Sequence, residues 1–421
     1  EEEVTRRTIM RYYKRKNPML IREMIRNVYK ECKGVPKSNC LTKEQRLSLQ
    51  MDEFMNRRYE FRYNTQIGEV EYRERFSFQF YFHPIDKQAQ NSIMLDAQSE
   101  GIGVWDRDID RYLHSNRVPI YNPLEEFLFH LPHWDGKDRI HALANRVPCK
   151  NPHWELLFHR WFLNMVSHWR GVDKMHANNT SPILVGRQGT HKSTFCREMI
   201  PPALRAYYTD SIDFSHKRDA ELYLNRFALI NIDEFDQITL PQQGFLKHIL
   251  QKPVVNLRKP HGRSVLELQR YASFIGTSNQ KDLLTDPSGS RRFICIEVTG
   301  NIDTTQPIDY EQLYAQAMHE IHHGERYWFD SEDEQIMTEN NREFEQTPAM
   351  LQLFYQYFKT AQTKEEGEFL TPVEILNYLK KKSGMSLSDN KVYHFGRLLQ
   401  KCGIPSKHTY KGTVYQVIKL S

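Results

Sequence analysis

Residues 185–195 read VGRQGTHKSTF and follow directly on the apolar run SPIL. A glycine-bearing turn between a strand and a helix offers backbone N–H groups to phosphate oxygens. A lysine just inside the helix then reaches the β- and γ-phosphates, and the next hydroxyl binds Mg²⁺. Here Ile183 to Val185 would supply the strand, and Gly186, Gln188, Gly189, Thr190 and His191 the turn. Lys192, Ser193 and Thr194 would open the helix, with Lys192 on phosphate and Ser193 on the metal. The pattern G-x-x-x-x-G-K-[ST] departs at one position, because His191 stands where the second glycine is expected. A residue that keeps helical torsions has no need of glycine's freedom, so a working site is expected.

About 40 residues downstream, FALINIDEFD (227–236) is an apolar strand ending in acids. Such a pair is often a helix cap or a solvated turn. Behind a P-loop at this spacing it is the pattern that sets one carboxylate on Mg²⁺ and another beside the attacking water. Asp233 would hold the metal through water, and Glu234 would act as general base. A third apolar run, YASFIGTSN (271–279), ends in Asn279, whose side chain would orient that water towards the γ-phosphate. Arg291 and Arg292 stand ahead of a fourth strand, in SGSRRFICIEV (288–298). Arginines beside a strand are ordinarily surface ion pairs, but a ring ATPase needs one there to reach into its neighbour's site. The chemistry expected is hydrolysis of ATP, with Mg²⁺ as cofactor.

These residues need a sheet to hold them. SPILVG, RFALINID, YASFIGTSN and RRFICIEV alternate with helical segments and are too apolar to be half exposed. An α/β core is expected, its parallel sheet covered by helices on both faces. Trp154, Leu157, Phe158, Trp161, Phe162, Met165, Val166 and Trp169 fall at helical spacing, which predicts a core-facing helix under the domain that follows. Upstream, YEFRYNTQIGEVEYR (59–73) alternates Tyr59, Phe61 and Tyr63, breaks at Gly68 and resumes with Val70 and Tyr72, as a β-hairpin does. The first thirty residues interleave Arg6, Arg7, Arg11, Lys14, Arg15, Lys16, Arg22, Arg26 and Lys30 with apolar residues at helical spacing. That is read as a solvated basic face in preference to a nucleic-acid contact. After the polar break TAQTKEEGE (360–368), TPVEILNYLKKKSG and DNKVYHFGRLLQKCG read as helices stopped by glycine. SKHTYKGTVYQVIKL reads as a hairpin turning at Lys411 and Gly412, which completes a winged-helix arrangement.

The chain of 421 residues is 39% hydrophobic, enough for a buried core and for two or three domains. Its 58 Lys+Arg against 53 Asp+Glu leave a charge of +5, which admits a polyanionic partner only where basic residues cluster. No apolar run approaches the ~18 residues of a membrane span, and EEEVTRR at the start carries neither a signal sequence nor a methionine. A cytoplasmic piece of a longer protein is expected, with no membrane partner. The six cysteines (Cys32, Cys40, Cys149, Cys196, Cys295 and Cys402) form no C-x-x-C pair, so neither disulfide nor zinc is expected.

Taken together, WDGKDRI (134–140), VGRQGTHKSTF, INIDEFD, FIGTSN and DPSGSRRF resemble the virulence-associated E family of phage and mobile-element replication proteins. In order and spacing they are also similar to the superfamily 3 helicases of small DNA viruses. The likeness spans roughly residues 50–300. It implies an AAA+-like P-loop ATPase fold, a homo-hexameric ring and ATP-driven movement on single-stranded or forked DNA. Family members often carry a primase domain ahead of this region, on the same chain. In the viral helicases a β-hairpin before the sensor strand projects into the ring's channel. VVNLRKPHGRSVLELQ (254–269) occupies that position, and its turn presents Arg258, Lys259, His261 and Arg263 for phosphate contact. Lys391, His394, Arg397, Lys401, Lys407, His408 and Lys411 in the last unit would track a duplex backbone, although such modules also serve as protein adaptors.

The organisation expected is an N-terminal helical and hairpin region over 1–150, for oligomerisation or as a collar, and an ATPase domain over 151–330. A helical linker over 331–368 and a winged-helix-like domain over 369–421 follow. The function expected is an ATP-dependent DNA helicase or translocase of a phage or mobile element. An ATP-switched origin melter or loader, and a defence or regulatory ring ATPase, would keep the same motifs.

Overall fold

The computed structural model describes residues 41–78, 80–171, 175–257, 266–284, 287–346, 349–360, 367–384, 392–410 and 412–420. The basic lead-in of the first thirty residues lies outside them. The chain divides into two compact units, one ending at Ile120 and the other running from Tyr121, with Thr65–Ile67 joined to the second.

In the first unit, α1 (Lys43–Arg58) starts from a capping box in which the Thr42 hydroxyl accepts the Gln45 N–H and the Gln45 side chain accepts the Thr42 N–H. Antiparallel β1 (Tyr59–Asn64) and β2 (Glu69–Glu74) form the hairpin that the alternation predicts, with Tyr59 opposite Glu74 and Asn64 opposite Glu69. The two-residue β3 (His83–Pro84) pairs with β2. Two helices, α2 (Lys87–Ser99) and α3 (Asp106–Leu113), complete a core around Phe54, Met55, Phe61, Ile93, Ala97 and Ile109.

The second unit opens with a short β4 (Ile120–Tyr121) shared at the division, then α4 (Pro123–Phe129), α5 (Arg139–Ala144) and α6 (Trp154–Arg170). Next come β5 (Ser181–Val185), α7 (Lys192–Glu198), β6 (Tyr208–Thr209), α8 (Lys217–Arg226), β7 (Leu229–Ile232) and α9 (Leu240–Leu250). The hairpin β8 (Val254–Leu257) and β9 (Leu266–Gln269) precedes β10 (Ser273–Ser278) and β11 (Phe293–Glu297), and α10 (Tyr310–His322) and α11 (Ser331–Asn340) close the region.

Five of these strands form one sheet in the order β11-β5-β10-β7-β6, every neighbouring pair parallel. Successive side chains of a strand point to opposite faces, and here both faces are dry. Leu184, Leu229, Ile275, Ile294 and Ile296 join Trp154, Phe158, Trp161, Phe162, Phe195 and Tyr314 in one core. Ile183, Val185, Ile230, Ile232, Phe274 and Phe293 join Leu224, Leu246, Ile249 and Leu250 in another. That is why these strands carry no polar alternation in the sequence.

The division between units falls about thirty residues before the expected boundary at 150, because Leu124, Leu128, Ile140, Leu143 and Ala144 pack in the same core as α6. A similar shift occurs at the C-terminal end. There α12 (Ala349–Tyr357), β12 (Phe358–Thr360) and β13 (Glu368–Leu370) precede α13 (Pro372–Ser383), α14 (Val392–Lys401), β14 (Ser406–Thr409) and β15 (Gly412–Lys419). Strands β12, β13 and β14 all pair antiparallel with β15. Leu351, Phe354 and Phe358 pack against Ile375, Leu379, Phe395 and Leu399. Residues 349–360, expected within a linker, therefore belong to this C-terminal core, and the polar break at 360–368 lies between two of its strands.

Candidate active site

The loop 186–191 leaves the carboxyl end of β5, inside the sheet between β10 and β11. The crevice outside the carboxyl ends of parallel strands is where such sheets bind ligands. Gly186 passes so close to the strand beside it that a Cβ would lie 3.0 Å from the Val298 carbonyl oxygen and 3.2 Å from Val298 Cβ. None of the N–H groups from Gln188 to Thr194 donates to a protein acceptor among the described residues. A run of unpartnered N–H groups in a reversing turn is an anion cradle.

His191 takes φ 64° and ψ 23°. Helical torsions are not what this position adopts: it is left-handed, the conformation that glycine reaches at no steric cost. The physical reason is the reversal itself, since a left-handed residue followed by a helical one turns successive N–H groups into one concavity. The side chain is exposed and makes no capping hydrogen bond. Among the described residues the one other non-glycine residue with positive φ is Glu234, at φ 51° and ψ 52°. Strain of this kind concentrates where the surroundings over-determine a functional backbone, and it falls on two candidate site positions.

The Lys192 side chain is buried, and its Nζ donates to the carbonyls of Gly186 and Arg187 at 2.8 Å each and to Asn279 Oδ1 at 3.2 Å. Burial lowers its pKa below the ordinary lysine value, against the opposing pull of Asp233. Ser193 Oγ donates to Asp233 Oδ1 at 3.0 Å, and the Thr277 hydroxyl donates to the same oxygen. Ser278 Oγ donates to Asp236 Oδ1 at 2.8 Å, and the Asn279 N–H reaches that oxygen at 3.4 Å. Lys192, Ser193, Asp233 and Asn279, from three separate stretches of sequence, thus form one connected group. The Glu234 carboxylate is exposed and makes no hydrogen bond among the described residues.

An open cavity of about 530 Å³ adjoins the loop, lined by Gly186, Arg187, Thr190, Asn279, Lys281 and Glu297. Such a volume falls within the range of small-molecule sites. Lys281 Nζ lies 2.6 Å from Glu297 Oε2, and this hydrogen bond raises the lysine's pKa. The donor set fits a magnesium nucleotide: a buried cation and unpartnered N–H groups for the phosphates, and a hydroxyl with a carboxylate for the metal.

Sequence reasoning missed Thr277, Ser278, Asp236 and Lys281. The first two carried a signal, because hydroxyls closing a fully buried apolar strand must find partners. Arg291 and Arg292 end the turn that enters β11. Phe293 pairs with Ser181 and Glu297 with Val185, so roughly 13 Å of strand separates the arginines' end of β11 from the end beside the loop. Arg291 is ion-paired with Glu334 at 2.8 Å, and Arg292 is half-buried. Strands β8 and β9 pair antiparallel from Val254 opposite Gln269 to Leu257 opposite Leu266. Their turn, with Arg258, Lys259, His261 and Arg263, lies outside the described residues.

Residues 128–346 match the family model of the virulence-associated protein E-like domain. The chain belongs to this family. The virulence-associated protein E-like region holds the whole candidate site. Residues 347–417 match a second model, a domain of unknown function drawn from a B. theta gene description (DUF3874). The break between the two matches falls where the C-terminal core begins. Among solved structures, the apo NrS-1 C-terminal region is 12% identical at TM-score 0.43, over 88% of this chain and 98% of that one. Two A-form apo structures of the same region give 11% identity at 0.42, over 88% and 99%, and 10% at 0.44, over 88% and 98%. No curated protein matches. No helix among the described residues is long and apolar enough to cross a membrane.

Proposed function

We propose that this chain is an ATP-driven, ring-forming DNA motor serving the replication of a phage or mobile element, with an AAA+-like core and a winged-helix-like C-terminal unit. The observation that carries the reading is the contact of Ser193 with Asp233 at 3.0 Å beside the buried Lys192, itself tied to Asn279. A magnesium nucleotide at this place supplies the phosphoanhydride bond whose hydrolysis drives movement. Lys192 exchanges its carbonyl partners for phosphate oxygens and neutralises their charge. Ser193, and Asp233 through water, would hold a Mg²⁺ ion, which would offset the charge on the phosphates. Glu234 accepts the proton of the attacking water, and Asn279 orients that water. Arg291 and Arg292, a strand's length from their own loop, act in this proposal on the nucleotide of the neighbouring subunit, as an arginine finger does.

The discriminating experiment is ATP hydrolysis with and without single-stranded DNA, together with strand displacement on forked DNA. DNA-stimulated hydrolysis with displacement is expected. Hydrolysis without displacement would favour an origin melter or loader, and hydrolysis indifferent to DNA a regulatory ring ATPase. No ATP-dependent reaction in any arm would refute the motor.

A further inference from the structure

A second cleft, of about 520 Å³, lies wholly within the N-terminal unit, between α1 and α3. Neither family match covers this unit. Its walls carry Lys43, Arg107, Arg111 and Arg117 against two carboxylates, Glu44 and Asp108, and Arg117 is also ion-paired with Asp52 at 3.3 Å. Arg107 and Arg111 stand four residues apart on α3, so they share one face of the helix. Neither Lys43 nor Arg107 forms an ion pair among the described residues. Arg111 reaches Asp108 at 3.4 Å with 77% of its side chain exposed. Asp108 is already engaged, accepting the Trp105 N–H at 3.1 Å.

At the rim stands Trp105, 62% exposed, with no side-chain hydrogen bond at the helix start that it caps through its backbone. An indole is costly to leave in water. An exposed indole lining the same cleft as Arg107 and Arg111 combines the two devices by which proteins hold unpaired nucleotides, stacking for the base and cations for the phosphate. We propose that this cleft binds nucleobase and phosphate together, as a second nucleic-acid site separate from the P-loop. The base stacks on Trp105, and the phosphate on its 5′ or 3′ side is held by Arg107 and Arg111. The occupant is a single strand, or a free nucleotide of the same chemistry. Neither the site nor its test depends on hydrolysis at the P-loop.

The test titrates the full chain with an oligothymidylate, and separately with thymidine monophosphate, while intrinsic tryptophan emission is followed. The same titrations in Lys192→Ala separate this site from the P-loop and from the motor reading. Stacking on Trp105 should quench emission in the wild type and in Lys192→Ala, with the quench absent in Trp105→Ala. Trp105→Phe keeps a stacking surface, so it should lose the quench yet hold oligonucleotide affinity in a gel-shift assay. Trp105→Ala should weaken that affinity about 5- to 150-fold. Arg107→Ala with Arg111→Ala should flatten the slope of log affinity against log salt by about 0.7, one phosphate on a single strand. Quenching by the oligonucleotide alone identifies a strand as the occupant; equal quenching by the mononucleotide identifies a free nucleotide. Unaltered emission in the wild type, or the same quench in Trp105→Ala, would overturn the proposal.

Discussion

Replacing His191 by glycine isolates the backbone of the turn that follows β5. At φ 64° and ψ 23° an L-residue carries a steric penalty of about 1–2 kcal/mol between its Cβ and the following carbonyl. Glycine does not carry it, but it loses about 0.5–1 kcal/mol more conformational freedom on folding. The difference predicts a stabilisation of about 0.5–1 kcal/mol, a rise of roughly 1–4 °C in the melting temperature of a unit this large. The histidine side chain is exposed and makes no capping bond, so His191→Ala should be close to neutral. The pair of variants thereby separates backbone from side chain. The assay is thermal unfolding of the nucleotide-free chain, with ATPase as a check that the cradle of N–H groups survives in both. Were the position helical, glycine would be the worse residue by about 1 kcal/mol relative to alanine. A melting temperature lower in His191→Gly than in His191→Ala would therefore refute the left-handed assignment.

Lys192→Ala should abolish nucleotide binding in a filter or calorimetric assay, whereas Glu234→Gln should bind ATP and slow its hydrolysis by about 10²–10⁴-fold; wild-type turnover in the latter would remove Glu234 as base. Lys259→Ala with His261→Ala should leave basal ATPase intact while weakening DNA stimulation and its salt dependence, and an unchanged salt slope would take the hairpin turn out of the DNA path. Arg292→Ala and Lys192→Ala subunits, each inactive alone, should recover hydrolysis when mixed, because one supplies the loop and the other the finger; mixed oligomers without activity would argue for a site completed within one chain. The fully buried Arg270 donates to the carbonyls of Asn178, Ile249, Leu250, Lys252 and Ala272. Arg270→Met should cost about 3 kcal/mol or more, since it leaves several buried carbonyls unpaired, and denaturant unfolding reads this directly.

The sequence by itself determined the local arrangement. It set Lys192 and Ser193 one and two places after the turn, and it marked the apolar runs ending in Val185, Ile232 and Ser278 as strands buried on both faces. These are short-range statements, fixed by spacing along the chain and by the period of side chains on a strand. Tertiary structure decided what depends on distant segments meeting. Asp233 receives Ser193 from 40 residues before it and Thr277 from 44 after it, and the order β11-β5-β10-β7-β6 brings them to one sheet end. The left-handed turn at His191, the docking of α4 and α5 beneath the sheet and the pairing of β12 with β15 were likewise invisible locally. Each is set by contacts between segments far apart in sequence, where the gain from closing a dry core outweighs the preference of any single residue.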